Sequence, residues 1–223
     1  MTATTFARAR SEEQREVRRA AILTTAAAML AADTRVADLT LNELSRRVGL
    51  AKSNVLRYFE TREAVLLELQ GDEFDAWLDA VRVALAGASG VEGVAEVVSR
   101  TLVDRPVLAE LLASSAGVLE HNVSADVAAA YKQRAAAQAE RLVALVEPLI
   151  GPLPVTSRIA LAGAVLLIAG GAWSMCRPSP GMVAAYAQHP ELAAMRLDYG
   201  IAVRELVATV LTGLLHRPVA SLS

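Results

Sequence analysis

The 223-residue chain is long enough for one large domain or two modest ones, and its 54% hydrophobic content supplies material for a buried core. The net charge of −2 is unevenly spread: residues 1–62 carry eleven Lys and Arg against seven Asp and Glu, a balance of +4, which leaves −6 for the remainder. The lone cysteine, Cys176, excludes an intrachain disulfide framework and a multi-cysteine zinc site, and it fits a reducing cytoplasm.

The start, MTATTFARARSEEQREVRR, becomes charged early and lacks the continuous apolar run of a secretory signal, so export is not expected. Ser11 with Gln14 forms a capping box, and Ala20, Leu23, Ala27 and Leu30 then recur at spacings of three and four. That pattern predicts an amphipathic helix to about Ala32, with Arg8 and Arg10 before it in a polar arm. Thr40 with Glu43 forms a second capping box and starts a short helix at Leu41, with Leu41, Leu44 and Val48 on one face. Gly49 follows where a helix end favours a left-handed residue. The next helix is expected from about Ala51 to Phe59, with Val55 and Phe59 turned inward, and Thr61 can cap a fourth reaching about Leu85.

Two short helices joined through a glycine, with a third behind them, have the sequence form of a helix-turn-helix. Burying Val55 and Phe59 leaves Lys52, Ser53, Asn54, Arg57 and Tyr58 on outer surfaces. These side chains suit DNA: Lys and Arg meet phosphate or guanine, Asn meets adenine, and Tyr meets phosphate or a thymine methyl. A basic front on an acidic body orients such a head toward a polyanion.

Beyond residue 66 the pattern stays helical, with no alternating run that reads as a strand. AGASGVEG, residues 86–93, and Asp104 to Pro106 mark breaks; with no preceding strand and no following Lys-Ser/Thr pair, the glycines do not make a phosphate loop. A long helix is expected over about Ser124 to Glu147, then an uncharged one over Val155 to Cys176, a Pro-rich connection, and a last helix over Ala202 to Leu215. The uncharged stretch barely reaches the length of a membrane span, and its many Ala and Gly residues favour a buried or interface helix, so no membrane is expected. His121, His189 and His216 are far apart in sequence and match no metal-ligand spacing, and no nucleophile motif is present, so neither an enzyme nor a metal or other cofactor is expected.

The stretch LTLNELSRRVGLAKSNVLRYFETREAVLLEL, residues 39–69, resembles the N-terminal DNA-binding region of the TetR (tetracycline-repressor-like) family of transcriptional regulators, over about residues 15–69. Gly49, Leu50, Asn54, Val55, Tyr58, Phe59 and Thr61 agree with the family pattern. Ala51 stands where a capping Ser is usual, Leu56 replaces a Tyr that contacts phosphate, and Arg62 replaces a Lys while keeping its charge.

The resemblance implies an all-α fold: a three-helix helix-turn-helix DNA-binding domain, placed at residues 1–65, followed by a larger helical ligand-binding and dimerisation domain at 66–223. It implies a phosphate contact from Thr40 and entry of Lys52 through Tyr58 into the major groove, with Lys52, Asn54 and Arg57 reading bases and Ser53, Tyr58 and Arg62 holding the backbone. It further implies a cytoplasmic homodimer, paired through the last two long helices, that binds palindromic double-stranded operator DNA as a repressor and is released by a small-molecule effector. Ala160, Gly163, Ala164, Gly170 and Gly171 thin the penultimate helix for such pairing. Few aromatics point to an aliphatic effector pocket, for which His121, Asn122, Tyr131, Trp173, Met175 and Cys176 are the candidate lining. The alternative, motivated by Ala51 and Leu56, is a helical dimerisation or small-molecule-binding protein whose head no longer reads DNA.

Overall fold

The computed structural model describes residues 3–32 and 34–216, with the side chains of residues 3–11, 116 and 118 outside the description. Among these residues there are ten α-helices and no strand, the all-α fold expected. They are α1 (Ala3–Ala31), α2 (Leu41–Val48), α3 (Lys52–Val55), α4 (Arg62–Ala84), α5 (Gly90–Val103), α6 (Pro106–Ser114), α7 (Ala125–Ile150), α8 (Val155–Cys176), α9 (Pro180–Gln188) and α10 (Tyr199–Leu215). The chain divides into two units: residues 1–71 with 114–131, and residues 72–113 with 132–223, so the division falls within α4 and within α7.

In the smaller unit, α1 begins well before Ser11, because no Gly or Pro interrupts residues 3–31. The expected polar arm is therefore helical; the side chains of Arg8, Arg10 and Ser11 lie outside the described residues. Its buried face is Ile22, Leu23, Ala26, Met29 and Leu30, whereas Ala20, expected inside, is exposed. The core of this unit adds Val36, Leu39, Leu44, Val55, Phe59 and the apolar residues of Ala64 to Leu69. Thr61 caps α4 as expected, its Oγ1 accepting from the Ala64 amide at 3.1 Å. Buried Gln70 satisfies both ends of its amide, donating to the Tyr131 hydroxyl at 3.0 Å and accepting from Ser115 at 2.6 Å.

The larger unit closes around Phe74, Trp77, Leu78 and Val81 of α4, which pack with Val94, Val98 and Leu102 of α5, Leu142 and Val146 of α7, and Val203, Val207 and Leu211 of α10. Trp77, fully buried, gives its indole N–H to Thr101 at 2.9 Å, so the largest core side chain leaves no orphan donor. On the outside of the same helices, Asp75 of α4 accepts from both Arg134 and Arg141 of α7 at 2.6 Å, with Asp72 and Asp79 flanking it.

The connection before the last helix is itself helical, a correction to the sequence reading. Ser179 accepts from the Met182 amide and Pro180 occupies the first turn of α9, where its missing N–H costs nothing. Asp198 likewise caps α10 through the Ile201 amide at 2.9 Å.

The glycines of α8 stand in two different settings. A methyl at Gly170 would lie 2.8 Å from the Leu112 carbonyl oxygen, so this glycine lets α8 approach the backbone of α6; Gly163 and Gly171 face open space. Gly170→Ala is expected to destabilise the fold by about 1–3 kcal/mol. Gly93→Ala, where a methyl meets only ordinary contacts at 3.4 Å, should be neutral or stabilising. Urea-unfolding midpoints of the two variants check this contrast.

Candidate nucleic-acid interface

The turn between α2 and α3 is built by three local interactions. Thr40 Oγ1 accepts from the Glu43 amide at 3.2 Å, starting α2, and Gly49 ends it at φ +75°, a left-handed conformation that costs a side-chain-bearing residue free energy. The Leu50 amide then closes onto the Ser45 carbonyl at 3.0 Å. The capping box forms on one side only, because the Glu43 carboxylate turns to Arg46 at 2.6 Å and Arg47 at 2.8 Å. Hydrogen bonds from Arg46 and then Arg47 hold its carboxyl down at about 2.

The segment after this turn is shorter as an α-helix than the sequence implies. Helical bonding covers Lys52–Val55, after which Arg57 and Tyr58 donate to the carbonyls three residues back, at 3.2 and 2.9 Å. Ala51 supplies no side-chain cap, and the chain tightens to carry Phe59 into the core beside Val55. Lys52, Ser53, Asn54 and Arg57 are exposed, Tyr58 is half-buried, and Leu56 also faces outward.

Arg19 fixes where this segment ends. Its guanidinium pairs with the Glu68 carboxylate of α4, with Nε to Oε1 at 2.7 Å, donates to the Tyr58 carbonyl at 3.1 Å, and lies 4.5 Å from the centre of the Phe59 ring. Arg62 works at the other end of the head. It donates to the Leu39 carbonyl at 3.2 Å and twice to Glu63 Oε1, so it holds the backbone immediately before Thr40 and brings these two sequence candidates together.

Beside Arg57 and Tyr58 lies a surface pocket of about 400 Å³ whose other walls are Gln14, Arg15 and Arg18 of α1. The sequence reading missed these three. Their signal was present: Arg15 and Arg18 continue upstream the line of Ile22, Ala26 and Met29, where the buried face of α1 outruns its core.

The candidate effector residues fall in separate units. His121 and Asn122 are exposed in a turn, Asn122 at φ +60°, and Tyr131 accepts from Gln70; all three belong to the smaller unit. Trp173, Met175 and Cys176 sit at the end of α8 in the larger one. Trp173 donates to Glu110 at 2.9 Å and meets the Tyr199 ring edge-on at 5.2 Å, Met175 is exposed, and burial together with Asp198 pushes the Cys176 thiol up. Among the described residues, no group of three or more His, Cys, Asp or Glu is placed to hold a metal ion.

A glycine-turned helix pair followed by an exposed polar segment, in an all-helical chain, has the form of a helix-turn-helix. The family described as tetracyclin repressor-like, C-terminal domain, matches residues 71–218, and the chain belongs to this TetR family of transcriptional regulators, which are not enzymes. A crystal structure of a TetR transcriptional regulator from Rhodococcus sp. RHA1 shares the fold at a TM-score of 0.55 with 14% identity, over 91% of this chain and 99% of that one. The TetR family regulator PfmR from Thermus thermophilus gives a TM-score of 0.49 with 18% identity, over 86% and 98% of the two chains. No curated protein matches the sequence.

Arg19→Ala removes an ion pair, a backbone hydrogen bond and a ring contact together, and leaves Glu68 half-buried without this partner. The expected cost is about 1–3 kcal/mol, discounted for partial exposure. Thermal unfolding followed by circular dichroism measures it.

Proposed function

We propose that the protein is a cytoplasmic, ligand-responsive repressor that binds palindromic double-stranded operator DNA as a homodimer and is released by a small-molecule effector. Residues 1–65 act as the reading head and residues 66–223 as the effector and dimerisation domain. The observation that carries this reading is the exposure of Lys52, Asn54 and Arg57 on the segment following the Gly49 turn, with no hydrogen bond or ion pair to any of their side chains among the described residues. Donors held on a folded scaffold and left without partners suit base edges in the major groove. Thr40, Ser53 and Tyr58 take phosphates, and Arg62 contributes by holding the Leu39 carbonyl so that Thr40 meets the backbone correctly.

Pairing through the last two long helices is supported by what α8 leaves uncovered. Val155, Ile159, Leu167 and Met175 form an outward apolar ridge at four-residue spacing, interrupted by Gly163 and Gly171, and Leu167 is 78% exposed. Ile201 and Leu206 of α10 are exposed as well. A ridge with gaps of this kind interlocks with a copy of itself. Two heads related by a twofold axis then read two half-sites. For the effector, the largely aliphatic core of the larger unit favours an apolar or amphipathic molecule, which must bind better to the conformation that fits DNA poorly.

Asn54→Ala is expected to cost about 1–3 kcal/mol on the operator while sparing unrelated DNA, whereas Arg57→Ala, whose guanidinium also borders the pocket of Arg15 and Arg18, should weaken both duplexes with the greater loss on the operator. Fluorescence anisotropy on both duplexes measures this, and equal losses on the two would remove the base-reading role. Binding of neither duplex at low salt by the unaltered protein would favour the alternative of a head that no longer reads DNA. Leu167→Asp should convert the dimer to monomers in analytical ultracentrifugation without loss of helicity, since its side chain is exposed in the single chain.

A further inference from the structure

We propose that the pocket formed by Gln14, Arg15 and Arg18 of α1 with Arg57 and Tyr58 is a phosphodiester-binding site, which extends the DNA footprint from the reading segment onto the first helix. This rests on the DNA-binding reading above and adds to it a contact that carries no base information.

Seven arginines of the head fall into two groups. Arg19, Arg46, Arg47 and Arg62 each bind a carboxylate, on Glu68, Glu43 and Glu63. The guanidiniums of Arg15, Arg18 and Arg57 make no hydrogen bond or ion pair among the described residues, yet these residues line one concavity of about 400 Å³. Three like charges gathered around a shared space repel one another unless an anion enters. The residues that line the pocket carry three guanidiniums, an amide and a phenol, and no carboxylate. That is a donor set suited to phosphate oxygens, guanidinium forks above all.

The backbone keeps the two walls in register. Arg19 stands one turn below Arg15 on α1 and donates to the Tyr58 carbonyl at 3.1 Å, so α1 is fastened to the residue that forms the opposite wall. Arg57 then stands at the boundary between base reading and backbone holding, and α1 grips the strand as it leaves the groove.

The test is the salt dependence of binding to a random-sequence duplex of about three helical turns, measured for the full chain and for the Arg15→Ala/Arg18→Ala and Arg15→Lys/Arg18→Lys variants. Each phosphate contact removed lowers the slope of log K against log salt by about 0.9. The alanine pair is expected to flatten the slope by about that amount per contact in each head, and the lysine pair to restore it, with unchanged unfolding midpoints. Binding by the unaltered protein with the same slope in the alanine pair overturns this inference alone. Absence of any binding by the unaltered protein overturns the DNA reading and this site with it. A third arm uses inorganic phosphate: thermal stabilisation by millimolar phosphate that vanishes in the alanine pair, without a change in DNA slope, reassigns the pocket to a free anion and overturns the duplex assignment.

Discussion

Arg19 joins three parts of the head through one planar group. Its two edges reach the Glu68 carboxylate on α4 and the Tyr58 carbonyl, and its face covers the Phe59 ring. The segment from Lys52 to Phe59 has only one short α-helical stretch and no side-chain cap, so it has little capacity to hold its own shape. Its orientation is imposed from outside, by Val55 and Phe59 in the core and by Arg19 at its last carbonyls. Exposed Asn54 and Arg57 are consequently aimed by residues that are themselves buried or half-buried.

The same logic of pairing sorts the charges. Lys and Arg dominate residues 1–62, but a count of them treats every cation alike. In the smaller unit, Glu43, Glu63 and Glu68 consume four guanidiniums as internal fasteners. Arg15, Arg18, Lys52 and Arg57 are left over, exposed on α1 and on the segment that follows the Gly49 turn. Carboxylates in a basic domain thus do more than dilute its charge: they determine which cations stay available to an outside anion.

In the larger unit, α8 meets two demands with one sequence. Leu161, Val165, Ala169 and Ala172 enter the core, while Val155, Ile159, Leu167 and Met175 do not. Among the described residues it is the one helix long and apolar enough to cross a membrane by length and composition. One apolar face is thus buried and the other exposed, and its glycines divide in the same way: Gly170 abuts the α6 backbone, and Gly163 and Gly171 lie in the open.

The sequence by itself determined the helical class, the Gly49 stop, the Thr40 and Thr61 caps and the inward pair Val55 and Phe59, because each depends on residues within about one helical turn. It also contained, unread, the start of α9 at Ser179-Pro180 and the upstream continuation of the α1 face. Only the tertiary structure decided that Arg19 and Arg62 are fasteners, that Arg15 and Arg18 share a pocket with Arg57, and that Gly170 and Gly171, adjacent in sequence, have different neighbours. These outcomes depend on which distant side chain lies opposite. Residue 19 meets residue 68 and residue 170 meets residue 112 only after the helices have packed, and no local spacing encodes that meeting.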